Sequence, residues 1–544
     1  MNIFYEMASR LGFYKDVKNC LLKGFTPCAV TGVSNIHKAQ TAMALSRLSP
    51  CLVICDDEAS AIRMTGDINE MAGEQLACVF PAKDLNFAYM EGVSREYEHK
   101  RLEALSLITQ GKCKIIAASM EACLQGTIPQ DKLKEFSFEI KTGGELSLEE
   151  LTSKLLAGGY TRTDQVEGQA QFSVRGSIAD IFPVQESRPV RIELWGDEVD
   201  SISYFDPESQ RRTDPIDEIM VFPALEIIFP DTDDLVTKLE ALSKSVRGSR
   251  TDKIRTNISR DIETAQSGIT LTNLDKYYTV CYDRLTTIFD YFQSGVCLVS
   301  EYTNCIEKGK AALAQLSEDM KLLYEDGILF RKLEGFYLDI PQAELKITQM
   351  KSVFLDSFMR SNNGVKFKKL INTDCRQTAA WGGNIINLEE ELKNLCSQGY
   401  CTVVLAGSEK TLPIINKDLN DAGISAEILT EDSEIIKGKV YLRTGCLSGG
   451  FDYPDIGCAA ITQMKAMSAK KRKSRHKAGE EIKSLSDIQT GDLVVHAMYG
   501  IGRFSGIKNI ETNGVTKDYI TIKYRCVNFS STFNDIKGQF VKKK

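Results

Sequence analysis

A chain of 544 residues is long enough for about three to five domains, and its 43% hydrophobic content supports ordinary folded cores. A net charge of -7 excludes a protein whose whole surface grips nucleic acid, although local basic patches remain possible. Sixteen cysteines without any C-x-x-C pair, and only four histidines (His37, His99, His476, His496), predict buried thiols in a reducing compartment, with no disulfides and no metal site. The opening MNIFYEMASRLGFYKD carries no signal pattern, and no apolar run approaches the roughly 20 residues that span a bilayer. A soluble, cytoplasmic protein without membrane contact is expected.

In chain order, the first 125 or so residues alternate short apolar runs with helical patterns. CAVTGV (28–33), CLVICDD (51–57), ACVFP (77–81) and CKIIAAS (113–119) predict strands. AQTAMALSRL (39–48), EASAIRMTGDINEMAG (58–73) and SREYEHKRLEALSLITQ (94–110) predict helices between them. Such alternation predicts a parallel sheet with helices on both faces. From about 135 the texture changes to alternating apolar and polar residues with Gly and Asp turns, as in QFSVRGSIADIFP (171–183), VRIELWGDEVDSISYFD (190–206) and DEIMVFPA (217–224). This predicts an inserted antiparallel module with one helix at 147–159. Residues 230–345 read as mostly helical, with strands near 296–301 and 335–340. Residues 350–465 predict a second α/β unit: a helix at 387–399, a strand at 400–407, and a helix at 408–423 with Ser408 as its N-cap and Gly423 as its stop. KKRKSRHK (470–477) reads as a solvated basic linker. Residues 491–525, with turn residues TNG (512–514), predict a small β domain.

The stretch TGVSNIHKAQT (31–41) stands between a strand and a helix, where a phosphate-binding loop belongs. Gly32 and Lys38 occupy the first glycine and the lysine of such a loop. His37 replaces the second glycine, whose freedom lets the backbone N–H groups curl around phosphate. Ala39 replaces the hydroxyl residue that holds magnesium. An acidic pair is wanted on a later strand, and 114–124 ends its strand in Ala-Ser-Met, with Glu121 two residues on. The expectation is a relic loop with no bound cofactor and no catalytic residue. No other nucleophile or metalloprotease motif occurs. DTDD (231–234) reads as a loop, LEEEL (388–392) as a solvated helix face, and DDE (56–58) as a helix cap.

Two stretches carry a family resemblance. GYTRTDQVEGQAQFSVRGSIADIFPVQESRPVRIELWGDEVDSISYFDPESQRR (159–212) resembles the domain shared by the excision-repair protein UvrB and the transcription-repair coupling factors, with Ala170 and Ser177 in place of two glycines. EEIKSLSDIQTGDLVVHAMYGIGRFSGIKNIETNGVTKDYI (480–520) resembles the coupling factors' RNA-polymerase-interacting domain, which is itself similar to the CarD regulators. The stretch 81–102 leaves no room for the DNA-threading hairpin of UvrB, so the domain order favours the coupling factors. The resemblance implies a multidomain α/β fold: a degenerate UvrB-like, helicase-type parallel unit (1–134 and 226–348), an inserted UvrA-binding module (135–225), a second α/β domain (349–465), the basic linker (466–484) and a Tudor-like β domain (485–544). It implies a non-enzymatic adaptor, a monomer linking UvrA to the RNA polymerase β subunit and touching DNA only weakly or indirectly. The family's ATP- and magnesium-dependent DNA translocase motor has no motif in this stretch. It places Arg162, Phe172, Arg175, Asp180 and Phe182 in or beside the UvrA face, and His496, Tyr499, Gly500, Gly502, Arg503 and Ile510 at the polymerase face, with Ile510 as the apolar anchor. The tail CVNFSSTFNDIKGQFVKKK (526–544) departs from the family pattern, and a truncation or frame shift that leaves one strand of the last domain missing or replaced is expected. An ATP-dependent translocase and a CarD-like regulator stay open as alternatives.

Overall fold

The computed structural model describes residues 2–88, 94–248, 250–358, 364–378, 380–430 and 433–463, and beyond them the backbone of six short strands between 480 and 542. Tyr499 and, apart from Glu480–Glu481, the basic linker expected at 466–484 lie outside the described residues.

The first unit opens with α1 (Ile3–Arg10) and α2 (Gly12–Lys23). There follow β1 (Cys28–Thr31), α3 (Asn35–Leu45), β2 (Cys51–Cys55), α4 (Glu58–Ala72), β3 (Ala77–Phe80), α5 (Glu96–Thr109), β4 (Ile115–Ser119), α6 (Met120–Leu124) and α7 (Gln130–Glu135). The inserted module comprises β5 (Phe138–Lys141), α8 (Leu148–Ala157), β6 (Thr161–Arg162), β7 (Gln171–Arg175), β8 (Ile178–Ile181), β9 (Val190–Trp195), β10 (Glu198–Phe205), β11 (Arg212–Ile216) and β12 (Glu218–Val221). The chain then returns through α9 (Thr232–Ser245), α10 (Thr251–Gln266), α11 (Tyr278–Cys281), β13 (Val296–Ser300), α12 (Tyr302–Glu325), α13 (Ile340–Gln349), β14 (Lys351–Asp356) and β15 (Lys369–Asn372).

The first sheet has seven parallel strands in the order β15-β1-β14-β13-β2-β4-β3. Its middle strands are apolar except for the closing Ser119 and Ser300 and are buried throughout, because helices cover both faces. The boundary expected at 348 is therefore corrected: β14 and β15 flank β1, so this unit extends to Asn372. Residues 335–340 are not a strand. Tyr337 makes a single bridge to Gln125, and Asp339 caps α13 by accepting from the Gln342 N–H. DTDD is not a loop, since Asp231 caps α9 by accepting from the Asp234 N–H at 2.7 Å. The expected cap of α4 is present, with Asp57 accepting from the Ser60 N–H at 2.7 Å.

In the module, six strands run β11-β10-β9-β8-β7-β6, and β5 pairs with β12 at its base. The β7–β8 turn pairs Arg175 with Ile178 across two residues, and Gly176 at φ +60° takes the strained first position. Ser177 is thus tolerated in place of a glycine. Ala170 is held at φ +64°, a conformation that a glycine would adopt without strain.

The second unit contains β16 (Arg376–Thr378), α14 (Ile385–Ser397), β17 (Cys401–Leu405), α15 (Leu412–Asp421), β18 (Ala426–Ile428), β19 (Val440–Arg443), β20 (Gly450–Tyr453) and β21 (Cys458–Thr462), in sheet order β16-β20-β21-β17-β19-β18. Ser408 does not cap α15: the helix starts four residues later, after Thr411, where Pro413 favours a first turn. Gly423, at φ +79°, follows its end as expected. One apolar core spans the α3 face of the first sheet and reaches Val403, Tyr441, Phe451 and Tyr453 of the second, so the two units share an interior.

The last sheet is antiparallel: β22 (Glu480–Glu481), β23 (Leu493–His496), β24 (Gly500–Thr512), β25 (Val515–Lys523), β26 (Asn528–Thr532) and β27 (Phe540–Lys542), in the order β22-β27-β23-β24-β25-β26. The unusual tail supplies β26 and β27.

Candidate functional site

The relic loop is closed rather than open. Helix α3 begins at Asn35, so Ile36, His37 and Lys38 already belong to it. His37 stands third in the helix and forms a reciprocal capping pair with Ser34, whose backbone N–H donates to His37 Nδ1 at 3.1 Å. The imidazole consumes donor capacity at the helix N-terminus, which a phosphate would otherwise take. Its ring centroid lies 5.3 Å from that of Tyr453 and 6.3 Å from that of Phe451, both on β20. Tyr453 O–H donates to Gln40 Oε1 at 2.5 Å, and Gln40 Nε2 donates to the Phe4 carbonyl at 2.8 Å. Packed in this way, His37 is fully buried, and burial pushes its pKa down to about 4.

Lys38 is held from the other side. Its Nζ donates to Glu301 Oε1 at 2.6 Å and to Ser300 Oγ at 3.3 Å, and its side chain has no exposed surface. Glu301 Oε1 also accepts from the Ser357 N–H at 2.9 Å and from Ser357 Oγ at 2.5 Å. Burial raises the Glu301 carboxyl, but Lys38 and Ser357 outweigh it and hold the group below the ordinary glutamate value. The carboxylate that faces Lys38 thus comes not from the end of β4 but from Glu301, directly after β13. The signal was an acidic residue directly after the buried strand VCLVS. Glu301 sits at φ +57°, a strained setting for a residue with a Cβ.

Gly32 is retained for packing. A Cβ there would come 2.2 Å from the Thr373 carbonyl oxygen, and its φ is +88°. Ala39 is completely buried. A hollow of about 320 Å³ adjoins the loop, and its charged lining is Asp56, Asp67 and Glu301 against Arg63. The lysine is paired, the helix N-terminus is covered and the hollow has an acidic excess. These residues do not fit a nucleoside triphosphate.

The module presents a different chemistry. Register places Ser173, Asp180, Arg191 and Ser203 in one cross-strand row, and Arg175, Ile178 and Glu193 in the next. Asp180, 1% exposed, accepts from Arg175 NH2 at 2.9 Å and from Arg191 Nε at 2.7 Å and NH2 at 2.9 Å. Both guanidiniums are thereby fixed while Arg175 stays 53% exposed. Arg162 and Arg175 line an open hollow with Thr163, Asp164, Ser173 and Val174. Two of the expected residues lie under this surface and not on it. Phe172 is fully buried, because it alternates to the core face. Asp180 lies beneath the arginines that it orients. Phe182 is half-buried. Trp195 was missed: on β9 it shares the outward alternation with Arg191 and Glu193, and it is 84% exposed.

In the last sheet, β23 pairs β24 only over residues 500–503, and β26 pairs β25 only over 519–523. Among the described residues, Asn509–Thr512 and Val515–Asp518 therefore pair only with each other, a two-stranded ribbon with open edges that contains Ile510. Gly500, Gly502 and Arg503 lie where β24 pairs β23, and His496 ends β23 opposite Gly500.

Residues 138–226 match the UvrB interaction domain family, and residues 488–528 match the CarD-like/TRCF RID domain family. The chain is 27% identical over 527 residues to a transcription-repair-coupling factor of Bacillus subtilis, covering 94% of this chain and 44% of that protein. It is 26% identical over 519 residues to that of Staphylococcus haemolyticus, covering 91% and 43%, and 24% identical over 526 residues to that of Staphylococcus aureus, covering 93% and 44%. Fold and domains together define a multidomain α/β protein that carries an interaction module and a CarD-type domain. Over most of its length the chain is similar to the transcription-repair-coupling factors. It spans less than half the length of the curated relatives it matches. Among the described residues, no helix is long and apolar enough to cross a membrane.

Proposed function

We propose that these residues act as a non-enzymatic docking scaffold in transcription-coupled repair, joining UvrA through the inserted module to the RNA polymerase β subunit through the last β domain. The observation that carries the reading is the arginine face, where one buried carboxylate, Asp180, holds Arg175 and Arg191 in fixed poses with Arg175 left exposed. Pre-oriented guanidiniums suit bidentate contacts to carboxylates on a partner. The open ribbon around Ile510 suits strand addition to a partner's sheet edge, with Ile510 as anchor. The sealed loop supports a role without ATP, magnesium or a catalytic residue, and DNA contact is secondary. A monomer is proposed.

One pull-down tests both arms, each serving as the other's control. The chain is expected to retain UvrA and the polymerase β subunit without nucleotide. Arg175→Glu loses UvrA and keeps polymerase. Ile510→Ala weakens polymerase binding about tenfold or more, in line with the roughly 1.5–3 kcal/mol of one buried apolar side chain, and keeps UvrA. Unchanged retention by either variant removes that residue from its interface, and failure of the parent chain to retain either protein overturns the reading.

A further inference from the structure

The turn between α9 and α10 holds basic side chains that the docking role does not use. Residues 244–260 contain Lys244, Arg247, Arg250, Lys253, Arg255 and Arg260 against the single carboxylate of Asp252, in a chain whose net charge is -7. Lys244 pairs with Glu240, and Lys253 with Asp326. Arg247, Arg250, Arg255 and Arg260 are exposed, and among the described residues none forms an ion pair with a carboxylate.

Backbone carbonyls hold three of these guanidiniums instead. Arg247 NH1 donates to the Lys244 and Val246 carbonyls at 2.6 and 2.9 Å, Arg255 Nε to the Ser243 carbonyl at 3.2 Å, and Arg250 NH1 to the Tyr324 carbonyl at 3.0 Å. A guanidinium has five N–H donors, so each keeps most of them for an outside acceptor. Arg247 and Arg255 line an open hollow with Ser243, Lys244, Gly248 and Thr251, and no carboxylate is in its wall.

We propose that this elbow binds the phosphate backbone of duplex DNA. Two features favour a nucleic acid strand over a single phosphate or an acidic protein. The cationic groups do not converge on one point: from Thr251 to Arg260 the helix rises about 14 Å, at about 1.5 Å per residue. The hollow also lacks an exposed aromatic or aliphatic anchor of the kind on which protein interfaces depend, its one apolar member, Val246, being buried. The contact is independent of sequence, because side chains that reach phosphates carry no base information.

The test is fluorescence anisotropy of the full chain with a labelled 25-base-pair duplex of arbitrary sequence, at several salt concentrations. Lys470–Lys477 could also attract DNA, so binding is measured in the parent and in a chain whose linker basics are changed to serine. In both backgrounds Arg247→Glu with Arg255→Glu is expected to weaken binding at least tenfold. The slope of log affinity against log salt should become shallower by about 2, since each phosphate contact contributes about 0.9. Arg247→Gln with Arg255→Gln gives a smaller loss in the same direction, and it serves as the test if charge reversal prevents folding. Equal affinity and slope in variant and parent overturn the proposal and assign DNA binding to the linker. Displacement of the duplex by millimolar inorganic phosphate at constant ionic strength overturns it in favour of a small-anion site.

Discussion

Replacing Glu301 by Gln keeps the shape of the side chain and removes the charge that faces Lys38. Lys38 Nζ lies 2.6 Å from the carboxylate, and its side chain is wholly buried, while that of Glu301 is 16% exposed. At an effective dielectric of about 20, the attraction at this distance is roughly 6 kcal/mol before desolvation. Breaking a buried pair from one side costs about 3–5 kcal/mol, because the remaining charge is left without compensation. Partial exposure of Glu301 places the expected loss near the low end, about 3 kcal/mol. For a unit of this size, about 2–4 °C is lost per kcal/mol, so the calorimetric transition of the first α/β unit should fall by about 6–12 °C. Lys38→Met together with Glu301→Gln removes both charges and should recover most of that loss. The pH dependence follows from the lowered carboxyl pKa. The unfolded chain binds the proton more readily than the folded one, so this stabilisation is complete above the ordinary value near about 4.3 and disappears as pH falls through the lower folded value. The difference between parent and Glu301→Gln should therefore close in acid. A variant that melts within about 2 °C of the parent at neutral pH, or a double variant less stable than the single one, would refute the ion-pair account.

Gly32→Ala should destabilise the first unit by about 2–5 kcal/mol, from about 1–2 for the left-handed backbone and about 1–3 for overpacking against Thr373. Unchanged melting would mean that the glycine is not required for packing. His37, pushed down to about 4 by burial, takes up its proton in the unfolded chain first, so stability should fall between pH 6.5 and 4 by up to about 1.4 kcal/mol per unit. His37→Gln, which can still cap α3, should flatten that slope in pH-dependent melting, and an identical slope would exonerate the imidazole. Trp195 and Trp381 are the two tryptophans, the first 84% exposed and the second 8%. Addition of UvrA should shift the emission of Trp195 to the blue, and Trp195→Ala should cost at least about 2 kcal/mol of binding, as buried aromatic anchors do; neither effect would be seen if the hairpin tip lies outside the interface.

What could be read from the chain alone was whatever is local in sequence. Unbroken apolar runs such as CLVIC and IIAA announce strands buried on both faces, and a parallel sheet follows because helical patterns separate them. The loss of the second glycine at His37 and of the hydroxyl at Ala39 are facts about single positions, so a defective phosphate loop was legible. The expected cap at Asp57 was equally local, since a carboxylate before a helical run has its N–H donors within one turn.

Tertiary structure decided which distant segments complete those local features. Lys38 meets Glu301 across 263 residues because β13 lies two strands from β1 in the sheet, an order that no periodicity states. For the same reason β14 and β15 join the first unit beyond the boundary expected at 348: parallel neighbours are set by crossover connections and not by adjacency in the chain. Alternation along β7 shows that Phe172 and Arg175 face opposite ways, but only the assembled sheet shows that Asp180 is buried between Arg175 and Arg191 and that Trp195 is left outside. Side-chain type proposes a contact, and the sheet's register and the covering layers determine which side chains can make one.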